Sequence, residues 1–314
     1  PMTIQGPILA NAGTVCQAFH YEHRLTRMQS TPNSASSPIV LTIAASDPSG
    51  GAGIQADLMT IASFGCHPLS VVTALTVQDS AGIEDILCID PNWVEDQIRT
   101  ILEDMPVNVF KTGLLGSVEN IAVVAEILAD YPDIPLILDP ALAPGQRDEL
   151  CDEDMIAAIC ELLLPQTTIL TPNSWEARRL CQDKEEDDET PSHDIVPLDE
   201  CVKQLLGYGC EYVLLSGTHE NTSKVVNRLY HRNDCLRSDA WERLPGSHHG
   251  AGCTLSSALA ACLAQGLSVE EAVQQAQDYT WHSLSNGFRP GMGRIIPNRF
   301  FWARQPQNHD RDSV

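Results

Sequence analysis

Aromatic residues are scarce in this chain, at 5% of 314 positions. That argues against an aromatic-rich β-sandwich and for an interior packed from Ala, Leu, Ile and Val. Basic residues are scarce as well. There are 19 against 42 acidic ones, a formal charge of −23. Such a surface repels nucleic acid and anionic membranes, so neither is expected as a partner. It also repels nucleotides at long range, so any phosphate site must be local: backbone N–H groups, a metal ion or a few cations. No run of 18 apolar residues occurs, and no basic stretch leads into an apolar one, so neither a membrane span nor a secretory signal is expected. The eleven cysteines run from Cys16 to Cys262 with no Cys-x-x-Cys pair and no clustered Cys/His spacing. That pattern argues against zinc and reads as reduced thiols in a cytoplasmic protein. The GxxxxGK[ST] phosphate loop is missing too.

What is present is an alternation of strands and helices. Hydrophobic residues make up 43% of the chain, enough for one large α/β domain or two smaller ones. Residues 1–37 show no period and end in "QSTPNSASSP". They read as a flexible N-terminal extension. "IVLTIAAS" (Ile39–Ser46) is a continuous apolar strand of the buried parallel type, followed by "DPSGGAG" as a turn and "IQADLMTIASF" as a helix. Strands are expected at Leu69–Val77, in "VNVFKTG", at Pro135–Pro140, in "TTILTPN" and in "CEYVLLSG". "SKVVNRLYH" starts an antiparallel hairpin. Helices are expected over Pro91–Leu102, from about Ser117 with Ile121, Val124, Ala125 and Leu128 inward, and in "DEDMIAAICELLL" behind an Asp152 cap. They are also expected in "SWEARRL", in "CTLSSALAACLAQ" and in "SVEEAVQQAQDYTWHSL", the last behind a Ser268/Glu271 capping box. This order predicts a three-layer α/β domain over 38–290, a mostly parallel sheet with helices on both faces. Residues 183–196 read as an acidic surface loop and 291–314 as a C-terminal tail.

In such sheets ligands bind beyond the carboxyl ends of the strands. The loops there read "ASDPSGGAG", "TVQDS", "KTGLLGS", "DPALAPG", "TPNSWE", "SGTHE" and "HHGAGCT". In "GAGCT", Gly250 and Gly252 permit a tight turn, and the N–H groups of 250–253 face one concavity at a helix N-terminus. That is an anion hole suited to a phosphoryl group. A helix dipole would lower the thiol pKa of Cys253, making it a base for a substrate hydroxyl. The spacing equally allows a glycine turn made for packing, with Cys253 buried. Asn173 and Glu176, three apart where a strand becomes a helix, suit water-mediated Mg²⁺ or a plain helix cap. Asp139 ends a strand, and Asp57 lies on the first helix.

Taken in order, "LTIAASDPSGGAGIQADL", "VVTALTVQDS", "LLPQTTILTPNSWEA" and "HGAGCTLSSALAACLAQG" resemble the hydroxymethylpyrimidine/phosphomethylpyrimidine kinases of thiamin biosynthesis, within the ribokinase-like superfamily. The similarity runs from about Ile39 to about Gly287. It implies transfer of the ATP γ-phosphate, with Mg²⁺, to an aminopyrimidine alcohol and then to its monophosphate. It also implies a homodimer. Carried over by motif, Gly250, Ala251 and Gly252 form the anion hole and Cys253 is the base. Ala45, Asp57, Gln78, Leu114 and Ala141 meet the pyrimidine. Asn173, Ser216, Gly217 and Thr254 serve the nucleotide, and Asp139, Asn173 and Glu176 the metal. Four positions depart from the family pattern: Ala45 for glycine, Leu114 for methionine, Ala141 for valine and Ser216 for a lysine at the nucleotide phosphates. Lys224 and Arg147 are the candidates to replace that charge. These changes leave two further options open, a kinase of a related heteroaromatic alcohol such as pyridoxal, or a weakly active ligand-binding or regulatory paralogue.

Overall fold

The computed structural model describes residues 37–142, 151–181 and 196–303. Arg147, most of the acidic 183–196 segment, the N-terminal extension and the end of the tail lie outside them. The described chain forms one nine-stranded sheet ordered β3-β2-β1-β4-β5-β6-β7-β8-β9. The strands are β1 (Ile39–Ser46), β2 (His67–Gln78), β3 (Ile83–Cys88), β4 (Val109–Thr112), β5 (Leu136–Leu138), β6 (Ile169–Leu170), β7 (Tyr212–Ser216), β8 (Lys224–His231) and β9 (Asp234–Glu242). The six from β2 through β7 in that order run parallel. β3 at one edge and the β8–β9 hairpin at the other are antiparallel.

Period-two alternation divides each central strand between two layers. Leu41, Ile43, Phe110, Leu136, Leu138, Leu170, Val213 and Leu215 belong to one core cluster. Their neighbours Val40, Val109, Ile137, Ile169 and Leu214 belong to the other. The first core is covered by α2 (Pro91–Asp104), α3 (Val118–Ala129), α4 (Glu153–Ala158), α5 (Ser174–Leu180) and α6 (Leu198–Gly207). The second is covered by α1 (Gly53–Ser63), α7 (Ala251–Ala264) and α8 (Val269–Ser285). The three-layer architecture is therefore the one the alternation predicts. Caps fall where their residue types indicate. Asp90, Ser117 and Asp152 accept first-turn N–H groups, and the Ser268/Glu271 capping box is formed.

Three features depart from the sequence reading. β3 is an edge strand of "IEDILC", too polar to show an apolar run. α6 follows the acidic segment and carries only a short amphipathic pattern. The tail expected from 291 stays on the body through residue 303. Ile295 bonds to Ser247 and His249, Ile296 pairs with Phe288, and Arg299 is buried at 2% exposure. Among the described residues no helix is long and apolar enough to cross a membrane.

Candidate active site

Two glycine loops meet at the carboxyl end of β1. The first, 47–52, is shaped by Asp47, whose carboxylate accepts N–H groups from Ser49 and Ala52 at 2.8 Å each. The second, 248–252, opens α7. Gly250 has φ +82°, and a Cβ there would lie 1.8 Å from the Gly51 carbonyl oxygen. A Cβ on Gly51 would lie 2.2 Å from the His249 ring. Neither position admits a side chain, which is the physical reason for glycine at both. Arg299 holds the loops together, donating to the carbonyls of Gly51 (2.6 Å) and Gly50 (3.3 Å) and to Thr254 Oγ1 (3.1 Å). His249 adds a second link, with Nε2 2.8 Å from Asp47 Oδ2.

Helices α1 and α7 both begin here, and both begin without a side-chain cap or an acid in the first turn. Their first-turn N–H groups have no intrahelical acceptor. The Cys253 thiol sits between them, half-buried, and accepts the Gly53 N–H. Gly252 lies inside α7 with no backbone strain. An added Cβ would stand 3.8 Å from Asp139 Oδ2, so the glycine leaves a gap above that carboxylate.

Beneath the gap is a fully buried ion pair. Lys111 Nζ, on β4, lies 2.8 Å from Asp57 Oδ2. Thr42 Oγ1 (2.6 Å) and Ser257 Oγ (2.7 Å) also donate to Asp57. The adjacent Ser256 donates to Asp139 Oδ2 at 3.1 Å. Consecutive serines on α7 thus serve two different carboxylates. Burial lowers and the surrounding anions raise the Lys111 pKa, and the anions win. Asp139 moves the other way from most acids: burial raises it, Lys111 draws it back and Asp57 adds to the rise. Glu176 is pushed up to about 8 by burial and then by Asp139, against the backbone N–H groups of Asn173 (2.9 Å) and Leu142 (3.3 Å) that it accepts.

The site residues named from sequence divide into three groups. Cys253, Gly250, Ala251, Gly252, Asp139 and Glu176 come together as expected. The half-buried Gln78, Leu114 and Ala141 line the same strand ends, with the Leu114 carbonyl accepting the N–H of buried Ala45 at 3.0 Å. Ala141 holds φ +47°, a conformation that favours glycine. Others are corrected. Asp57 has no exposed surface and its oxygens are taken by Thr42, Lys111 and Ser257, so in this structure it supports the floor. Thr254 is equally buried, bonded to Gly250 and Arg299. Gly217 is packed on β8, where a Cβ would lie 2.4 Å from the Val226 oxygen. Asn173 forms a full capping box with Glu176, its Oδ1 accepting from Trp175 and Glu176 at 2.9 Å, so it caps α5. Cys253 was expected to have a lowered pKa. Instead burial and then Asp139 push its thiol up to about 12, with Lys111 opposing. The lone helix-dipole argument omitted the acids beneath.

Ser216 lies beside Asn173 and shares a 2.6 Å hydroxyl contact with Thr218. Lys224 is exposed and faces Glu242 across the hairpin. The loop between is fixed by Arg243, which donates to the carbonyls of Thr218, Glu220 and Thr222. Sequence reasoning missed Lys111, Arg299, His249 and Asp47. A lysine inside the apolar strand "VFKTG" was the one available signal, since it must find a buried anion.

Among the described residues no three His, Cys, Asp or Glu side chains gather as a metal cluster. The Asp139–Glu176 pair nevertheless fits a cation: both acids are buried, Asp139 raises Glu176, and Gly252 leaves space above Asp139. A hard divalent ion held mostly by water and phosphate oxygens needs only one or two carboxylates. Two shallow hollows of about 450 and 470 Å³ lie elsewhere, near Lys203 and near Gln274, and contain none of these groups.

Residues 47–298 match the family model described as phosphomethylpyrimidine kinase. A hydroxymethylpyrimidine/phosphomethylpyrimidine kinase of Streptomyces coelicolor is 37% identical over 270 residues, covering 85% of this chain and 95% of that one. A bifunctional thiamine biosynthesis protein of Geobacter sulfurreducens is 37% identical over 240 residues, 76% of this chain. This chain spans about half the length of that protein, 48%, and 47% of a Schizosaccharomyces pombe relative. Among solved structures, an ADP complex of Bacillus subtilis pyridoxal kinase has a TM-score of 0.72 at 28% identity, covering 85% of this chain and 99% of that one. A phosphomethylpyrimidine kinase of Clostridium difficile has a TM-score of 0.64 at 30% identity, covering 77% and 97%.

Proposed function

The chain belongs to the phosphomethylpyrimidine kinase family, and from that premise we propose that it transfers the γ-phosphoryl group of ATP to the hydroxymethyl oxygen of an aminopyrimidine and then to the resulting monophosphate. The observation that carries the reading is Cys253, seated between two uncapped helix N-termini with Asp139 and Lys111 beneath. The first-turn N–H groups of α7 receive the phosphoryl oxygens as negative charge moves among them. Lys111 and Arg299 supply fixed positive charge below and beside the site. Cys253 takes the hydroxyl proton. A thiol near 12 stays protonated at neutral pH, so its work as a base begins only when positive charge offsets Asp139. A Mg²⁺ ion held by Asp139 and Glu176 through water would supply that charge and neutralise the phosphates. Gln78 and the Ala45–Leu114 strand ends face the pyrimidine.

A kinase of pyridoxal is the second reading, favoured by the higher TM-score of the pyridoxal kinase match. We also propose a cytoplasmic homodimer. Leu75, Val77 and Leu87 are exposed on the β2–β3 edge at 46, 56 and 65%, and Leu75 pairs directly with Leu87. Such a patch fits a partner's matching face. The test is a coupled assay with Mg-ATP on material whose mass is read by sedimentation. Turnover of hydroxymethylpyrimidine at twice the chain mass is expected. Cys253→Ala should cut kcat by roughly 10² to 10⁴ with little change in KM. No turnover at millimolar substrate sinks the kinase reading. A higher kcat/KM for pyridoxal moves the assignment to the second.

A further inference from the structure

The two buried cations of the site differ in what holds them. Lys111 has a carboxylate of its own, Asp57 at 2.8 Å. Among the described residues the Arg299 guanidinium donates four bonds, and all go to neutral oxygens. These are Thr254 Oγ1 (3.1 Å) and the carbonyls of Gly50 (3.3 Å), Gly51 (2.6 Å) and Gly250 (3.5 Å). A buried charge with no anion in contact is costly to keep, unless a ligand completes it. Burial pulls the Arg299 pKa down, and Cys253 is foremost among the groups that oppose the fall. The Gly250 contact has a direction. That peptide is trans, so its N–H, which belongs to Ala251 and opens α7, leaves on the side away from the carbonyl. Thr254 adds to the pull on the same oxygen: its hydroxyl accepts from Arg299 and donates to the Gly250 carbonyl at 2.8 Å. A cation behind the peptide polarises it and strengthens the donor in front. The end of the chain brings Arg299 to this place. The Asn298 N–H donates to the Ser283 carbonyl at 2.9 Å, and the Tyr279 hydroxyl donates to the Arg299 carbonyl at 2.7 Å. Helix α8 thus fixes the backbone from which the guanidinium extends.

We propose that Arg299 is a positioning residue for phosphoryl transfer, the counter-charge behind the anion hole, carried there by a C-terminal segment that does not touch the substrate. The proposal rests on the reading of the α7 N-terminus as the phosphoryl site, and it identifies where the charge of that site comes from. The guanidinium stands on the carbonyl side of the glycine peptides, and the concavity lies on the other. It fixes the distance between the two loops and so the seat of Cys253. It also offsets the negative charge that spreads over the phosphoryl oxygens during transfer. Lys111 contributes less, because Asp57 already balances it. A fixed charge that acts most on the transition state shows its loss in kcat and not in ground-state binding.

Three variants of the full chain test it by steady-state kinetics with Mg-ATP and hydroxymethylpyrimidine. Arg299→Gln should lower kcat by roughly 10²-fold and move both KM values less than about threefold. Arg299→Lys keeps the charge and loses the planar fork, so it should retain about tenfold more kcat than Arg299→Gln. Arg299→Ala leaves room for a free guanidinium ion. Added at non-denaturing concentration, that ion should restore kcat about tenfold, whereas urea, of similar shape and without charge, should not. A loss confined to KM, a lysine variant no faster than the glutamine one, or equal rescue by urea overturns the proposal. A second measurement needs no turnover: the thermal unfolding midpoint in inorganic phosphate against chloride at equal ionic strength. Phosphate should raise the midpoint of the wild type and raise that of Arg299→Gln less than half as much. An equal response in the two, including none in either, overturns the proposal. Absence of turnover by the wild type instead counts against the proposed function, and the phosphate comparison still decides the role of Arg299.

Discussion

The two ends of the row of strand-end loops handle charge in opposite ways. At the β1–α7 end, Lys111 and Arg299 are buried under the floor, one bonded to Asp57 and the other to loop carbonyls. At the β7–β8 end, where the nucleotide is expected, Ser216 and Thr218 present hydroxyls, and Arg243 is spent on three carbonyls that fix the loop. The first end is dry and electrostatically strong, so each charge there depends on its neighbours. The second is exposed and screened, so a lost cation there should matter less than its motif position suggests.

Breaking the strong end should have the largest effect. Lys111→Met leaves Asp57 buried and unpaired and should cost about 3–5 kcal/mol in urea unfolding. The double change Lys111→Met/Asp57→Leu should recover much of it. Equal loss in both variants would mean that packing, and not charge, is what Lys111 provides.

Glu176 gives an intermediate test with a defined sign. Its folded pKa, about 8, lies above its ordinary value of 4.5. The unfolded chain therefore sheds this proton first, and stability falls as pH rises from about 4.5 to about 8. Glu176→Gln removes that slope. It should raise stability at pH 8 by roughly 4 kcal/mol and change little near pH 4. Added Mg²⁺ should stabilise the wild type at pH 8 more than the variant. A Glu176→Gln protein with an unchanged slope would show that the acid pair is already neutralised.

The smallest effect is expected at the exposed end. Ser216→Ala should change stability by no more than about 0.5 kcal/mol and the KM for ATP less than threefold. Ser216→Lys should lower that KM several-fold. A large loss in Ser216→Ala would erase the contrast between the two ends.

How much of this was legible beforehand follows from range. The apolar runs of β1, β4 and β5 and the capping signals at Asp152 and Ser268 are local, and they appear where the residues indicate. β3 is an edge strand whose polar residues face solvent, so no run marks it. Asn173-x-x-Glu176 was ambiguous because a capping box and a metal motif use the same residues at the same spacing. Only the bonds from Trp175, Glu176 and Leu142 separate them. The family resemblance implies that Asp57 is a ligand contact. Its burial under Thr42, Lys111 and Ser257 depends on residues 15, 54 and 200 positions away.

By itself, the sequence determined the layer order, the strand-end placement of the polar loops and the helix start at Gly250-Ala251-Gly252-Cys253. Those depend on periodicity, turn chemistry and caps, all of which act within a few residues. The tertiary structure decided the electrostatics. It set which carboxylates lie beneath Cys253, that its thiol rises and does not fall, and that Arg299 and His249 join two glycine loops about 200 residues apart in the chain. A pKa and a hydrogen-bond polarity are set by every charge within several ångströms, and in a parallel sheet those neighbours come from distant crossovers.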